Sequence, residues 1–206
     1  MRTFLLRVAA GLLIAALATT AAAQGADSAL IGRVADAIRA YPHFSIFDDV
    51  MVDAKDGVVT LTGCVTMAYK RDEIAARAGR VEGARSVTNE IHVLPASSSD
   101  AALRTKIADA IYGHPSFWRY AAMTNPPIHI IVANNRVTLT GMVTTDVDRT
   151  LAVTLAHVPG AIDVVNKLRL EREGSGRVNW PAAASLSAPT STRATAPRIA
   201  GRACDP

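Results

Sequence analysis

Val59-Thr60-Leu61-Thr62-Gly63-Cys64-Val65-Thr66 returns 78 residues later as Val137-Thr138-Leu139-Thr140-Gly141-Met142-Val143-Thr144. The match continues outward from this core in both directions. Upstream, Val34-Ala35-Asp36-Ala37-Ile38 corresponds to Ile107-Ala108-Asp109-Ala110-Ile111, and Pro42 and Phe44 to Pro115 and Phe117. Downstream, Gly83-Ala84 and Val87-x-Asn89 correspond to Gly160-Ala161 and Val164-x-Asn166. Matched blocks in the same order, separated by small insertions, mean that one unit of about 70 residues is written twice.

Each copy reads as helix, strand, strand, helix, strand. Leu30, Val34, Ile38 and Leu103, Ile107, Ile111 recur at four-residue steps, which makes one apolar stripe on a first helix. Asp27 or Ser28, and Ser99 or Asp100, are expected to cap these helices by accepting a free backbone N–H. Pro42 and Pro115 stop them, because proline lacks that N–H. Apolar residues then alternate. Val50 and Val52 face Val59, Leu61 and Val65 across Asp56-Gly57, while Ile128, Ile130 and Val132 face Val137, Leu139 and Val143 across Asn134-Asn135. Second helices are predicted near 67–80 and 145–157. Last strands follow at Val87, Ile91, Val93 and at Val164, Leu168, Leu170. A right-handed crossover would set each last strand parallel to the second.

The expected fold class is therefore α+β. It consists of two tandem αββαβ domains, residues 27–95 and 99–172, each a small three-stranded mixed sheet with two helices on one face. Ala96-Ser97-Ser98-Ser99 joins them. The other face of each sheet would carry Thr60, Thr62, Cys64, Thr88, Glu90 and His92, or Thr138, Thr140, Met142, Lys167 and Arg169. A polar, Thr-rich face reads first as solvated; docking of the copies, or of another protein, is the alternative.

The two ends differ from this core. Arg2 and Arg7 flank an apolar run from Val8 to Ala18, and Ala21 and Ala23 precede Gln24. These features predict a cleaved secretory signal peptide over residues 1–23, hence export. No Cys follows the run to accept an N-terminal lipid. Residues 174–206, rich in Ala, Ser, Thr, Pro and Arg, are expected to be disordered. The formal net charge of +4 also belongs to the ends. The tail alone holds Arg177, Arg193, Arg198 and Arg202 against Asp205, and residues 24–173 balance 16 bases with 17 acids. A nucleic-acid groove needs an excess of bases on the fold, so that function class is excluded. No later apolar run approaches the ~18 residues of a membrane span, so an integral membrane protein is not expected.

Catalytic patterns are missing. His43, His92, His114, His129 and His157 show no metal-binding spacing, and neither a G-x-S-x-G elbow nor a phosphate loop occurs. His92 and His129 are expected to be solvated on outward strand positions. Asp48 and Asp49 would point to opposite sides of a strand, and the second copy has no acid there. No enzyme activity, metal or cofactor is expected. Cys64 aligns with Met142, so its position asks for an apolar side chain. A Cys64–Cys204 disulfide is one option; unpaired or intermolecular thiols are others. The densest aromatic stretch is Pro115-Ser116-Phe117-Trp118-Arg119-Tyr120. Phe117 repeats Phe44 and is expected in the core. Trp118, Arg119 and Tyr120 suit a bilayer interface, with rings at headgroup depth and the base on phosphate. In the alternative, Trp118 packs under the following loop.

The pattern Asp56-Gly57-Val58-Val59-Thr60-Leu61-Thr62-Gly63-x-Val65, followed by Val81-Glu82-Gly83-Ala84-x-x-Val87-x-Asn89, resembles the BON domain. The second copy resembles it through Asn135-Arg136-Val137-Thr138-Leu139-Thr140-Gly141-x-Val143 and Val158-Pro159-Gly160-Ala161-x-x-Val164-x-Asn166. With the leader, the arrangement is similar to the osmotically inducible periplasmic proteins of Gram-negative bacteria. The resemblance implies a non-enzymatic periplasmic module associated with phospholipid membranes and with envelope integrity under osmotic stress. The expected partner is an anionic phospholipid surface. The alternative is a protein–protein interaction or chaperone-like module without lipid contact. The second copy departs from the first by five extra residues around Met123-Thr124-Asn125-Pro126-Pro127 and by Asn134-Asn135 in place of Asp-Gly.

Overall fold

A computed structural model describes residues 25–171. The expected leader, and the tail with Cys204, lie outside the described residues. The first copy runs from a helix over residues 25–39 (α1) through β1 (Asp49–Lys55), β2 (Val58–Val65) and α2 (Ala68–Gly79) to β3 (Ser86–Val93). The second runs from α3 (Ser98–Tyr112) through one 3-10 turn (Pro115–Phe117) and a short α4 (Trp118–Ala121). It continues into β4 (Ile128–Ala133), β5 (Arg136–Val143), α5 (Asp146–Ala156) and β6 (Asp163–Leu170). The sheets are ordered β1-β2-β3 and β4-β5-β6. In each, the first pair is antiparallel and the last strand lies parallel to the central one. The α+β reading and the parallel last strand therefore hold.

Alternation sorts the strands' residues to two faces. Val50, Val52, Val59, Leu61 and Val65 are buried with Leu30, Val34 and Ile38 of α1 and Ile74 and Ala78 of α2. In the second copy Ile128, Ile130, Val132, Val137, Leu139 and Val143 meet Leu103, Ile107 and Ile111 of α3 and Ala152 and Ala156 of α5. Both helices of each copy thus cover one face of its sheet.

The hairpin turns place both central residues at positive φ, 52° and 80° at Asp56-Gly57, 52° and 59° at Asn134-Asn135. Such turns match the twist of the strands they join. Their amides are held in a way the sequence reading assigned differently. Asp27 accepts from Asp56 N at 3.0 Å and Gly57 N at 3.3 Å. Its counterpart Asp100 accepts from Asn134 N at 3.0 Å and Asn135 N at 2.8 Å. These two aspartates clamp the turns, and the cap of α3 is Ser97, whose hydroxyl accepts from Asp100 N. A carboxylate with two oxygens matches two convergent turn amides better than a single helix amide.

The recurring glycine of the strand motif answers a steric demand. Gly63 has φ +116° and Gly141 φ +109°. A Cβ at Gly63 would sit 2.1 Å from Asp49 O, and one at Gly141 would sit 1.8 Å from Pro127 O.

The sheet faces opposite the helices are only partly solvated. Thr60 and Thr62 are half-exposed and Thr88, Glu90 and His92 exposed, but Cys64, Thr140 and Met142 are buried. His129, expected in solvent, is 6% exposed. The physical reason is that the two copies dock there.

Candidate interaction surfaces

The seam between the copies is built from the segment entering β1 and the outward side of β4. Pro42 ends the helical run, and residues 44–48 cross over to the neighbouring domain. Ile46 O accepts from Ile130 N at 2.7 Å, and Asp48 O lies 2.6 Å from His129 Nδ1. Phe44 packs against the His129 ring at 5.8 Å. Beside them Cys64, Leu94 and Ile131 form a small buried cluster with Ala133 against it. The outward phase of β4, His129-x-Ile131-x-Ala133, is thus an interface.

Asp48 and Asp49 do point to opposite sides. Asp48 is fully buried and receives Ser45 N, Ser45 Oγ, Thr66 N, Thr66 Oγ1 and Lys70 Nζ at 2.7–2.9 Å. Asp49 instead faces the second sheet, where His129, Thr140, Lys167 and Arg169 favour its charged form. Burial outweighs them and pushes the Asp49 carboxyl above the usual carboxylate range. The folded chain therefore holds this proton more tightly than the unfolded chain. Its contribution is greatest at low pH and is lost as pH climbs from the ordinary carboxylate range through the raised folded value. Asp49→Asn should remove that slope, checked by thermal unfolding across about pH 4 to 7.

The second copy solves the Asp48 problem with different chemistry. Thr144 N, the counterpart of Thr66 N, donates to the Tyr120 hydroxyl at 2.9 Å. That hydroxyl donates to Asp148 Oδ2 at 2.9 Å, and Asp148 stands where the first copy has Lys70. Arg119 pairs with the same carboxylate and lies over the Tyr120 ring at 4.8 Å. A carboxylate with a lysine has been replaced by a phenol with a carboxylate and an arginine.

This network decides the fate of the aromatic segment. Phe117 and Tyr120 lie three residues apart and face inward, at 0% and 1% exposed. Tyr120 is therefore removed from the bilayer-facing set: it is core, and its hydroxyl is engaged. Arg119 is partly exposed and tied to Asp148. Trp118 stands out at 71% exposed, not packed under the loop. The reading of three adjacent residues as one surface overlooked the turn that separates them.

Further exposed apolar side chains lie outside the expected site. Met123 and Val147 lie on the second copy, with Val147 next to Asp148; Met67 and Tyr69 lie on the first. Tyr69 and Val147 occupy the same repeat position, the second residue of α2 and of α5. That coincidence was available from the 78-residue offset.

Among the described residues, no group of three His, Cys, Asp or Glu could hold a metal ion. No described helix is long and apolar enough to cross a membrane.

Comparison with known proteins completes the picture. The chain is similar to CdsD, described as a structural protein of the type III secretion system of Chlamydia trachomatis, at 16% identity. That match covers 75% of this chain and 99% of CdsD, with a TM-score of 0.26. A C-terminal domain of CdsD matches at 14% identity over 68% of this chain and 96% of its own, with a TM-score of 0.25. Likenesses this distant carry no weight for fold or partners. No curated protein matches. The BON domain model matches residues 26–95 and again 99–172, the two units described above. With two αββαβ copies accounting for both matches, the chain belongs to the BON domain family.

Proposed function

We propose that this protein is an exported, non-enzymatic envelope component that binds an anionic phospholipid surface through the end of the second copy. The BON family is generally non-enzymatic and associated with the membrane and envelope. The observation that carries the reading is Trp118, 71% exposed beside the partly exposed Arg119. Burying a ring of this size in the headgroup region removes apolar area from water, while the guanidinium meets phosphate. Met123 and Val147 add apolar area on the same domain. The arginines of the tail would add about 1 kcal/mol each near an anionic surface. The role in envelope integrity under osmotic stress is what the family resemblance implies, and the periplasmic address rests on that resemblance and on the leader expected over residues 1–23.

Flotation of residues 24–206 with liposomes tests it. Vesicles rich in phosphatidylglycerol should carry the protein at low salt and release it as salt rises. Trp118→Ala should lower the partition constant, read from the floated fraction over a range of lipid concentrations, about tenfold, the effect of losing on the order of 1.4 kcal/mol. A protein that stays at the bottom with every vesicle, or a Trp118→Ala variant that floats unchanged, would sink the proposal. The chaperone-like alternative would then be examined by suppression of client aggregation in lipid-free buffer.

A further inference from the structure

An open cavity of about 440 Å³ lies where the second copy meets the segment of the first that crosses the seam. Its walls are the end of α3 (Asp109, Tyr112 and Gly113), Ala121 of α4, Pro126 of the extra loop and Ile46 of the first copy. Small-molecule pockets span about 300–1,000 Å³, so the space suits one compact ligand.

The repeat shows which charge that ligand should carry. Asp109 is the counterpart of Asp36, and three residues further on the first copy has Arg39 where the second has Tyr112. Residues at this spacing are neighbours on a helix face. In the first copy Arg39 pairs with Asp36 at 2.9 Å. In the second copy that cation is gone. Among the described residues no base forms an ion pair with Asp109, and Lys106, one turn before it, is no exception. The Asp109 carboxylate is exposed. The last turn of α3 holds no basic residue, and a helix C-terminus carries partial negative charge of its own. The ring that replaces Arg39 belongs to a phenol whose hydroxyl already donates to Ile128 O.

We propose that this cavity binds a quaternary ammonium of the trimethylammonium class. Asp109 supplies the counter-charge, and Tyr112 supplies the aromatic ring beside it. A primary ammonium brings three N–H donors, for which the lining side chains hold only Asp109 and the engaged Tyr112 hydroxyl. A quaternary ammonium has no N–H to satisfy. Its methyl groups meet Ile46, Ala121 and Pro126, while its charge is attracted to carboxylate and ring. An anion is excluded by Asp109 and by the end of α3. The site belongs to the docked pair of copies, because Ile46, whose carbonyl accepts from Ile130 N, forms one wall. A ligand held there favours the docked arrangement over a parted one.

Titration of the full mature chain, residues 24–206, with choline chloride in lipid-free buffer tests the site. Amide spectra should show saturable shifts at Asp109–Gly113, Ala121 and Ile46, with a dissociation constant on the order of 1 mM for one ring and one carboxylate. Sodium chloride at equal concentration should not reproduce them. Ethanolamine, the same skeleton with a primary ammonium, should bind about tenfold more weakly. Asp109→Asn, at an exposed position that leaves the core intact, should weaken choline binding about tenfold, whereas Asp36→Asn should leave it unchanged. Absence of saturation, shifts matched by sodium chloride, or an Asp109→Asn variant that binds as well as the parent would each overturn the proposal. No vesicle is present in this titration, so its failure and failure of the lipid reading are separate results. Flotation with phosphatidylcholine vesicles then separates two sources of the group. Flotation that Asp109→Asn abolishes assigns it to a lipid headgroup; no flotation, or flotation that Asp109→Asn leaves unchanged, assigns it to a free cation.

Discussion

Alanine at Gly141 is expected to prevent the second copy from folding. The added Cβ would meet Pro127 O at 1.8 Å and Pro127 C at 3.0 Å, both backbone atoms at the entry to β4. No rotamer change relieves a backbone clash, and a φ of +109° already disfavours any residue with a Cβ. Relief requires Pro127 to withdraw, which would also break the bond from Met142 N to its carbonyl at 3.2 Å. The loss should exceed about 3 kcal/mol, equivalent to about 10 °C or more in thermal midpoint, if a transition survives at all. Gly63→Ala, 2.1 Å from Asp49 O, should act alike on the first copy. Circular dichroism and amide spectra of both variants would check this. A native-like midpoint in either would show that the strand tolerates a side chain there.

Asp48→Ala should be nearly as severe. The carboxylate collects five donors, and its removal leaves the Lys70 ammonium, 8% exposed in its side chain, with only the Thr66 hydroxyl at 2.9 Å. An uncompensated buried charge costs about 3–5 kcal/mol. Lys70→Met should cost less, because Asp48 keeps four other donors. Combining Asp48→Ala with Lys70→Met removes the orphaned ammonium, so the double variant should be more stable than Asp48→Ala alone. Denaturant unfolding of the three variants gives the coupling directly.

Periodicity and repetition made most of the fold legible. Leu30, Val34 and Ile38 mark a buried helical stripe because nothing else explains four-residue spacing, and Asp56-Gly57 marks a tight turn because both φ values must be positive. What periodicity does not carry is the partner of a polar group. Asp27 and Asp100 look like caps in one dimension, and only the return of the hairpin turns makes them clamps. His129 looks like a solvated strand residue because alternation identifies a face without telling what covers it. The site reading failed at Tyr120 for a related reason: one turn of helix turns a contiguous aromatic segment into an inner pair, Phe117 and Tyr120, and an outer Trp118. The contrast between Asp48 with Lys70 and Tyr120 with Asp148 was hidden because the repeats conserve the need for an acceptor at Thr66 N and Thr144 N, not the residue that supplies it.

The bond from Ile130 N to Ile46 O has a consequence for how this chain can be divided. It occupies the middle of the outer rim of β4, a position that would otherwise invite another strand to pair with it. Cutting the chain at Ala96 would leave Ile130 N without its acceptor and Ile131 in water, while Val132 O and Ile128 O would keep their donors in the second copy, Arg104 and Tyr112. Such a fragment is poised to recruit strands from its neighbours and to self-associate. Each copy has its own core, yet the first serves as a built-in guard for the second, and the duplication is better understood as one protein than as two modules on a string.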